Sequence, residues 1–496
     1  MKKEGKNLMI VGTASGVGKS TVVAGLCRVF KNRNYRVFPF KSQNMALNSY
    51  VTKDGYEMGR AQVIQAYACG LEPDVIMNPI LLKPSGNNKI QVILNGKVFA
   101  NMTGREYNEF KENLIPMLEE IYSNISKYND LIFIEGAGSP AEINLEYKDI
   151  SNFEMARIAD APVILVADID RGGVFASIYG TIMLMKEEER KRIKGIIINK
   201  FRGDKIVLQK GIEKIENLTG VKTLGVLPYH NLNIEEEDSL TEKKQNTLVK
   251  NKKIKILIIN LKHISNTTDF NVFNLYDDIE MKFTYDANDF VDEDIIIIPG
   301  SKNTIDDMIF LRENKLDLKI IEAAKKGKVI IGICGGFQLL GKKIYDTSGI
   351  ESNILDIDGI GLLDIETEMS EKKYTKQYNG EIQKSLGFFD KLIDRKISGY
   401  EIHHGISHGN IKNLTCDNRL IIVNKKNIIG TYLHGFFDND NIRKYILDKV
   451  LRKKGLEEIQ KINYQKNNDI QLEKLEKIIL ENVDLEYMER IINGDV

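Results

Sequence analysis

Six short apolar runs rich in β-branched and aromatic residues, NLMIVG, YRVFPF, DLIFIEG, APVILVAD, KGIIINK and KTLGVLP, fall in the first half of the chain. Most end in Gly, Pro, Asp or Asn, and most precede a segment with helical patterning. Strands this uniformly apolar, alternating with helices, predict an open parallel sheet whose two faces are covered by the crossover helices. Ligands of such sheets bind beyond the carboxyl ends of the strands. The polar residues that follow each run are therefore where chemistry is expected.

Residues 231–253, NLNIEEEDSLTEKKQNTLVKNKK, break the pattern with a charged stretch poor in aromatics that reads as an exposed linker. A second series follows: IKILIIN, DIIIIPG and KVIIGIC, then GYEIHHG, RLIIVN and IIGTYLHG, the last three spaced closely enough to predict some antiparallel strands. Beyond residue 440 the chain is rich in Lys, Glu, Leu and Ile and is expected to be helical. The divisions expected are 1–230, the linker 231–253, a second α/β unit at 254–452 and a charged helical tail at 453–496. A chain of 496 residues exceeds one ordinary core, and it shows no internal repeat.

Lys+Arg and Asp+Glu both number 70, so net charge offers no general case for binding nucleic acid or an anionic membrane. The cysteines, Cys27, Cys69, Cys334 and Cys416, lie far apart without the CxxC spacing of a zinc or redox site. Reduced thiols of a cytoplasmic protein fit them best. The start, MKKEGKNLMIVG, lacks the apolar core of a signal peptide. No apolar run approaches the ~20 residues that span a bilayer. A cytoplasmic location without membrane or nucleic-acid partners is expected, and oligomeric state stays open.

Residues 12–21, GTASGVGKST, join the first strand to a helical pattern. Binding phosphate takes converging backbone N–H groups, a lysine and a hydroxyl for Mg²⁺. Gly16 and Gly18 let the backbone turn closely, Lys19 supplies charge, and Ser20 or Thr21 supplies the hydroxyl. Thr13 stands where the strict P-loop pattern has glycine, so this is a variant loop. Glu135, in FIEGAGS, ends a buried strand where a carboxylate is costly without a partner. Mg²⁺ is a natural one; a helix cap or structural ion pair is the other reading. Asp168 and Asp170 end the next strand and compete for that role. Asn199, in INKFRGD, offers an amide for a base edge, but the aspartate of a guanine site is displaced to Asp204, so ATP is expected.

The stretch GICGGFQLLG, residues 332–341, places Cys334 between a buried strand and a helix, with glycines on both sides. A side chain at such a turn is held above the sheet end, as in the nucleophile elbow of hydrolases. A small buried thiol is the alternative. His434, in GTYLHG, also follows a strand, and a Cys–His pair lowers a thiol pKa from its usual ~8.5. Backbone N–H groups near Gly335 and in the Gly300–Ser301 turn of PGSKNT offer an oxyanion hole, and Gln338 on the first helical turn can seat substrate. His403 and His404, in GYEIHHG, sit near a strand end as second-site or plain surface residues.

The cysteine elbow, PGSKNT and YLHG resemble the class I glutamine amidotransferase domain. The N-terminal loop, EGAGS and NKFRGD resemble the dethiobiotin synthetase group of P-loop enzymes. In this order the two resemble the corrinoid amidases, and PFKSQNMALNSYVTKDGYEMGRAQ, MNPILLKP and EGAGSPAEINL resemble the cobyric acid synthase family in particular. The resemblance implies a P-loop domain with a mostly parallel sheet followed by an amidotransferase-like α/β domain. It implies ATP- and glutamine-dependent amidation of the b, d, e and g carboxylates of adenosylcobyrinic acid a,c-diamide, with cobalt arriving inside the substrate. ATP and Mg²⁺ would lie at Gly16, Gly18, Lys19, Ser20 and Glu135, with Cys334 as nucleophile and His434 as base. Lys41 and Lys83 would be further clamps, and Gln43, Asn44 and Asn48 would suit a rim of carboxylates and carboxamides or serve as turn formers. Glu57, Asp149 and Asp168 are further candidates for the Mg²⁺ shell. Many class I members carry glutamate two residues after the histidine; here Phe436 stands there, so the third member is absent or comes from elsewhere. Cobyrinic acid a,c-diamide synthase shares the two-domain plan, and a P-loop nucleotide switch with a non-catalytic second domain is the more distant alternative.

Overall fold

The computed structural model describes residues 5–85, 89–144, 149–234, 252–383, 387–392 and 394–496. Most of the expected linker lies outside the described residues. The six runs of the first half form one parallel sheet, in the order Thr223–Pro228, Ile193–Phe201, Val163–Asp168, Lys6–Gly12, Leu131–Glu135, Val37–Phe40. Successive side chains of a strand face opposite ways. Leu8 and Ile10 accordingly join the core under helix Lys19–Asn32, while Met9 and Val11 join the core on the other face with Met155 and Ile178. The first strand pairs on one side with Leu131–Glu135 and on the other with Val163–Asp168, so the 12–21 loop emerges beside both Glu135 and Asp168.

A smaller sheet of Gln43–Met45, Ile80–Ser85, Lys89–Leu94 and Lys97–Thr103 attaches to this unit. The second unit has its own six-stranded sheet, ordered Ile279–Thr284, Ile254–Ile259, Ile295–Ile298, Val329–Ile333, Ile428–Thr431, Ile422–Lys425. Its strands are parallel except Ile422–Lys425, which runs antiparallel at the edge, as the close spacing of the later runs predicts for part of this series. Beside it lies a four-stranded sheet containing Ile365–Glu381 and Lys396–Gly409, paired antiparallel with a bulge between Met369 and Tyr374. No helix among the described residues is long and apolar enough to cross a membrane.

The C-terminal helices Tyr464–Asn482 and Leu485–Asn493 return to the first sheet. Leu472, Leu475, Ile479, Met488 and Ile491 are buried in the same core as Leu8, Ile10, Val22 and Leu26. The Asp484 N–H donates to the Leu224 carbonyl at 2.7 Å, extending that contact to the sheet edge. The polar tail thus hides an apolar stripe that completes the core on one face of the first sheet. Ile479 is fully buried, and Ile479→Ala is expected to cost about 2–5 kcal/mol, read as a lower urea midpoint.

Candidate active sites

At the phosphate loop, Gly16 (φ 71°) and Gly18 (φ 96°) adopt the left-handed conformation that glycine reaches without strain. Lys19 is buried and its Nζ donates to the carbonyls of Ala14 and Gly138, each at 3.0 Å, so its ammonium lies folded across the loop. Thr13 is partly exposed, its N–H bonded to the Val166 carbonyl at 2.9 Å, and Thr21 follows on the helix. Asn199, expected at a base edge, differs: its Nδ2 donates to the Val17 carbonyl at 2.9 Å and its Oδ1 accepts from the Lys200 N–H at 2.8 Å. Both amide atoms are engaged, and the Nδ2 bond braces the loop. Lys200 Nζ donates to the Gly16 carbonyl and pairs with Asp168 at 2.9 Å.

Glu135 is completely buried and gathers three partners. Its Oε1 accepts from Ser20 Oγ at 2.7 Å and from Lys41 Nζ at 3.0 Å, and its other oxygen accepts from Gln65 Nε2. Burial pushes this carboxyl up, but the Lys41 charge and the Ser20 and Gln65 hydrogen bonds prevail and hold it below the usual carboxylate value. Of the other acids weighed, Asp149 caps the Ser151 and Asn152 N–H groups, Asp168 pairs with Lys200, and Glu57 pairs with lysines. Glu135 is the one bonded to the loop hydroxyl. No group of three or more His, Cys, Asp or Glu side chains among the described residues could hold a metal. Mg²⁺ usually takes one or two protein oxygens and completes its shell with phosphate and water, and the Ser20–Glu135 oxygen pair fits that demand.

The expected rim residues separate into two groups. Gln43 accepts from the Tyr107 hydroxyl, and Asn44 donates to Gln62 Oε1 at 2.9 Å. The Asn44 Oδ1, Gln62 Nε2 and Gln65 Oε1 atoms are buried without a hydrogen-bond partner. Lys83 lies instead at the boundary with the second unit, where its Nζ donates to Ser49 Oγ at 2.6 Å and to Glu57 Oε1 at 2.5 Å. Lys373, from the bulge of the long strand, donates to the other Glu57 oxygen at 2.6 Å. Burial, with Glu57 opposing it, lowers the Lys373 pKa to about 8. Burial beside Lys83 and Lys373 pushes Lys302 well down. Asn48, on the same boundary, accepts from the Thr267 N–H at 2.9 Å.

Cys334 has φ 51° and ψ −108°, a conformation a non-glycine residue adopts only under strain worth about 1–3 kcal/mol. The strand Val329–Ile333 and the short helix Gly335–Leu339 enforce it, and Cys334 is 5% exposed. The PGSKNT turn lies across the elbow: a Cβ on Gly335 would stand 2.7 Å from the Ser301 nitrogen, and one on Gly300 would stand 3.1 Å from His434 Cε1. The backbone nitrogen of Ser301 therefore lies against the elbow, and the Gly300 backbone lies against the His434 ring. Gln338 is buried against Gly405 and Tyr432. His403 stacks on Tyr432 with ring centroids 3.9 Å apart and bonds Gly405 O and Glu401, so it braces the site from within. Burial, with Lys373 nearby, lowers the His404 pKa to about 4.

His434 bonds Asp269 Oδ2 through Nδ1 at 2.7 Å, and Cys334, whose Sγ donates to the Ile402 carbonyl at 3.6 Å, lies near enough to act on the imidazole. The other Asp269 oxygen accepts from the Gly435 N–H at 2.9 Å, so both carboxylate oxygens are tied to His434 or the residue after it. Burial lowers the His434 pKa, but the Asp269 charge and hydrogen bond, with the Cys334 contact, carry it up to about 9. The carboxylate that partners His434 thus comes from SNTTDFNVF, far upstream of it in the sequence. No spacing rule marks Asp269 in the sequence; the only signal is its location after the strand IKILIIN.

Residues 8–241 match the CobQ/CobB/MinD/ParA nucleotide binding domain, and residues 255–442 match the CobB/CobQ-like glutamine amidotransferase domain. The chain is 47% identical to the cobyric acid synthase of Listeria monocytogenes serotype 4b (strain CLIP80459), covering 99% of this chain and 97% of that one. It is 46% identical to the cobyric acid synthase of Clostridium botulinum (strain Alaska E43 / Type E3), covering 98% and 99%. Among solved structures, that of PurLQS from Thermotoga maritima aligns over 40% of this chain and 99% of that chain, at 18% identity and a TM-score of 0.31. Two domain families matched in order, and identity of this level along the full length of both relatives, establish that the chain belongs to the cobyric acid synthase family.

Proposed function

We propose that this family member, an ATP-dependent glutamine amidotransferase of cobalamin biosynthesis, amidates the b, d, e and g carboxylates of adenosylcobyrinic acid a,c-diamide. The observation that carries the reading is the strained Cys334 facing an Asp269-supported His434, in a chain akin to cobyric acid synthases along its whole length. The Cys334 thiolate adds to the glutamine amide carbon while N–H groups at Gly335 and Ser301 hold the developing oxyanion. The His434 imidazolium gives its proton to the departing nitrogen, which leaves as ammonia, and a thioester remains. Water, deprotonated by His434, then releases glutamate.

In the nucleotide-binding half, the phosphate loop and Lys19 hold ATP, and the substrate carboxylate attacks the γ-phosphorus to give an acyl phosphate and ADP. Ser20 and Glu135 would hold Mg²⁺, which when bound neutralises charge on the β- and γ-phosphates. Ammonia adds to the acyl carbon and phosphate leaves, giving the carboxamide. Lys41, beside Glu135, is suited to the phosphoryl oxygens. Gln43 and Asn44 present amides suited to a rim of carboxylates and carboxamides.

The test is mass spectrometry of adenosylcobyrinic acid a,c-diamide incubated with the protein, ATP, Mg²⁺ and glutamine. Successive carboxyl-to-carboxamide changes are expected, lost in Cys334→Ala with glutamine and restored by ammonium. Conversion of cobyrinic acid instead would reassign the chain to a,c-diamide synthesis; an unreactive corrin of either kind would remove the corrin reading.

A further inference from the structure

We propose that Asn48 and Ser49, carried by the nucleotide-binding half, are positioning residues for the catalytic base of the glutamine site. The base is oriented by a short turn, Asn266 to Asp269, whose last residue bonds His434. That turn does not stand alone. The Thr267 N–H donates to Asn48 Oδ1 at 2.9 Å, and the Ser49 N–H donates to Asn266 Oδ1 at 2.9 Å. The two halves thereby exchange hydrogen bonds in both directions across one turn.

The second contact is made by Tyr400. Its hydroxyl donates to the Ser49 carbonyl at 2.8 Å, and its backbone exchanges two bonds with His434, at 2.9 and 3.1 Å. The Tyr400 ring stacks on the imidazole at 5.4 Å and 26°. Both polar groups of Ser49's backbone are therefore committed to partners that touch His434 directly or through Asp269. Asn48, Ser49, Asn266, Thr267, Asp269, Tyr400 and His434 are all buried, so water does not substitute readily for a lost bond.

Asn266 shows what the contact maintains. It is a non-glycine residue at φ 53°, held in the left-handed region, and its carbonyl accepts from the Asp269 N–H at 3.1 Å to close the turn. With Ser49 holding the Asn266 side chain, the turn keeps the one conformation that aims Asp269 at Nδ1. Asn48 and Ser49 lie eight residues or fewer from Lys41, which bonds Glu135 and through it Ser20. The segment that orients the base is thus continuous with the phosphate site.

The inference rests on reading Cys334 and His434 as the glutamine-hydrolysing pair, and the test separates the two. Glutamine hydrolysis is followed against pH, together with ammonium-dependent amidation, in the full-length protein, Cys334→Ala, Asn48→Ala and Asn266→Gly. Asn266→Gly removes the side-chain bond while glycine keeps the left-handed backbone. Both asparagine variants are expected to lose about tenfold or more in kcat for glutamine with little change in KM, and their alkaline limb moves to lower pH as the Asp269–His434 bond loosens. Asn266→Gly retains ammonium-dependent amidation. Unchanged kcat and limb in both variants would overturn the positioning role while leaving the pair intact. Glutamine hydrolysis surviving in Cys334→Ala would remove the reading itself, and the inference with it.

Discussion

Replacing Asp269 by asparagine is expected to lower kcat for glutamine hydrolysis by about 10²–10⁴-fold while ammonium-dependent amidation persists. Asparagine keeps the volume but loses the charge, and its amide can donate to Nδ1, favouring the imidazole tautomer whose Nε2 proton faces Cys334. The base is then mis-set for the thiol. The pH profile supplies the second readout. His434 holds its proton up to about 9 because Asp269 and Cys334 outweigh burial. The imidazolium therefore persists below that value, ready to give its proton to the departing nitrogen, and activity falls as pH rises through it. In Asp269→Asn burial acts with little opposition, so the limb moves to lower pH. The same linkage bears on stability: a histidine whose folded pKa exceeds its unfolded value of 6.5 adds stability that is complete below 6.5 and lost as pH rises through about 9. An unshifted limb in Asp269→Asn would show that the carboxylate does not set the imidazole's charge.

The parallel sheets were legible because their strands are buried on both faces and so carry unbroken apolar runs, as in IIII at 295–298. Ile365–Glu381 escaped because it alternates buried Ile365, Thr367 and Met369 with exposed polar residues and has no apolar run at all. The C-terminal helices were legible as helices but not as part of the first core, since nothing local in a Lys- and Glu-rich segment says which sheet its Leu472–Leu475–Ile479 stripe covers. Cys334, Lys19 and Glu135 could be found because local backbone geometry ties each to a strand end. Asp269, Tyr400 and Lys373 could not, because their placement depends on how separate loops meet. Asn48 stood out in the sequence, yet the partner it bonds, Thr267, is 219 residues away.

Glu135→Gln is the reciprocal experiment: glutamine hydrolysis is expected to continue while amidation with either nitrogen source falls by about 10²–10⁴-fold, the scale of removing a positioned charge from a phosphoryl-transfer site. Two effects combine there and have to be separated. Glutamine can still accept a hydrogen bond from Ser20, but it carries no charge to hold a divalent cation. It also leaves the Lys41 ammonium, 1% exposed, without its carboxylate. Breaking one side of a buried ion pair costs about 3–5 kcal/mol, so lost activity alone could reflect a loosened fold. The double variant Glu135→Gln/Lys41→Met removes both charges and is expected to recover most of the thermal stability. If Glu135 holds the cation and Lys41 the phosphoryl oxygens, as proposed, amidation should not return with it, because neither charge is restored. Recovery of amidation in the double variant would mean that the Ser20–Glu135–Lys41 cluster only holds the sheet ends together, and that the metal-binding carboxylate lies elsewhere.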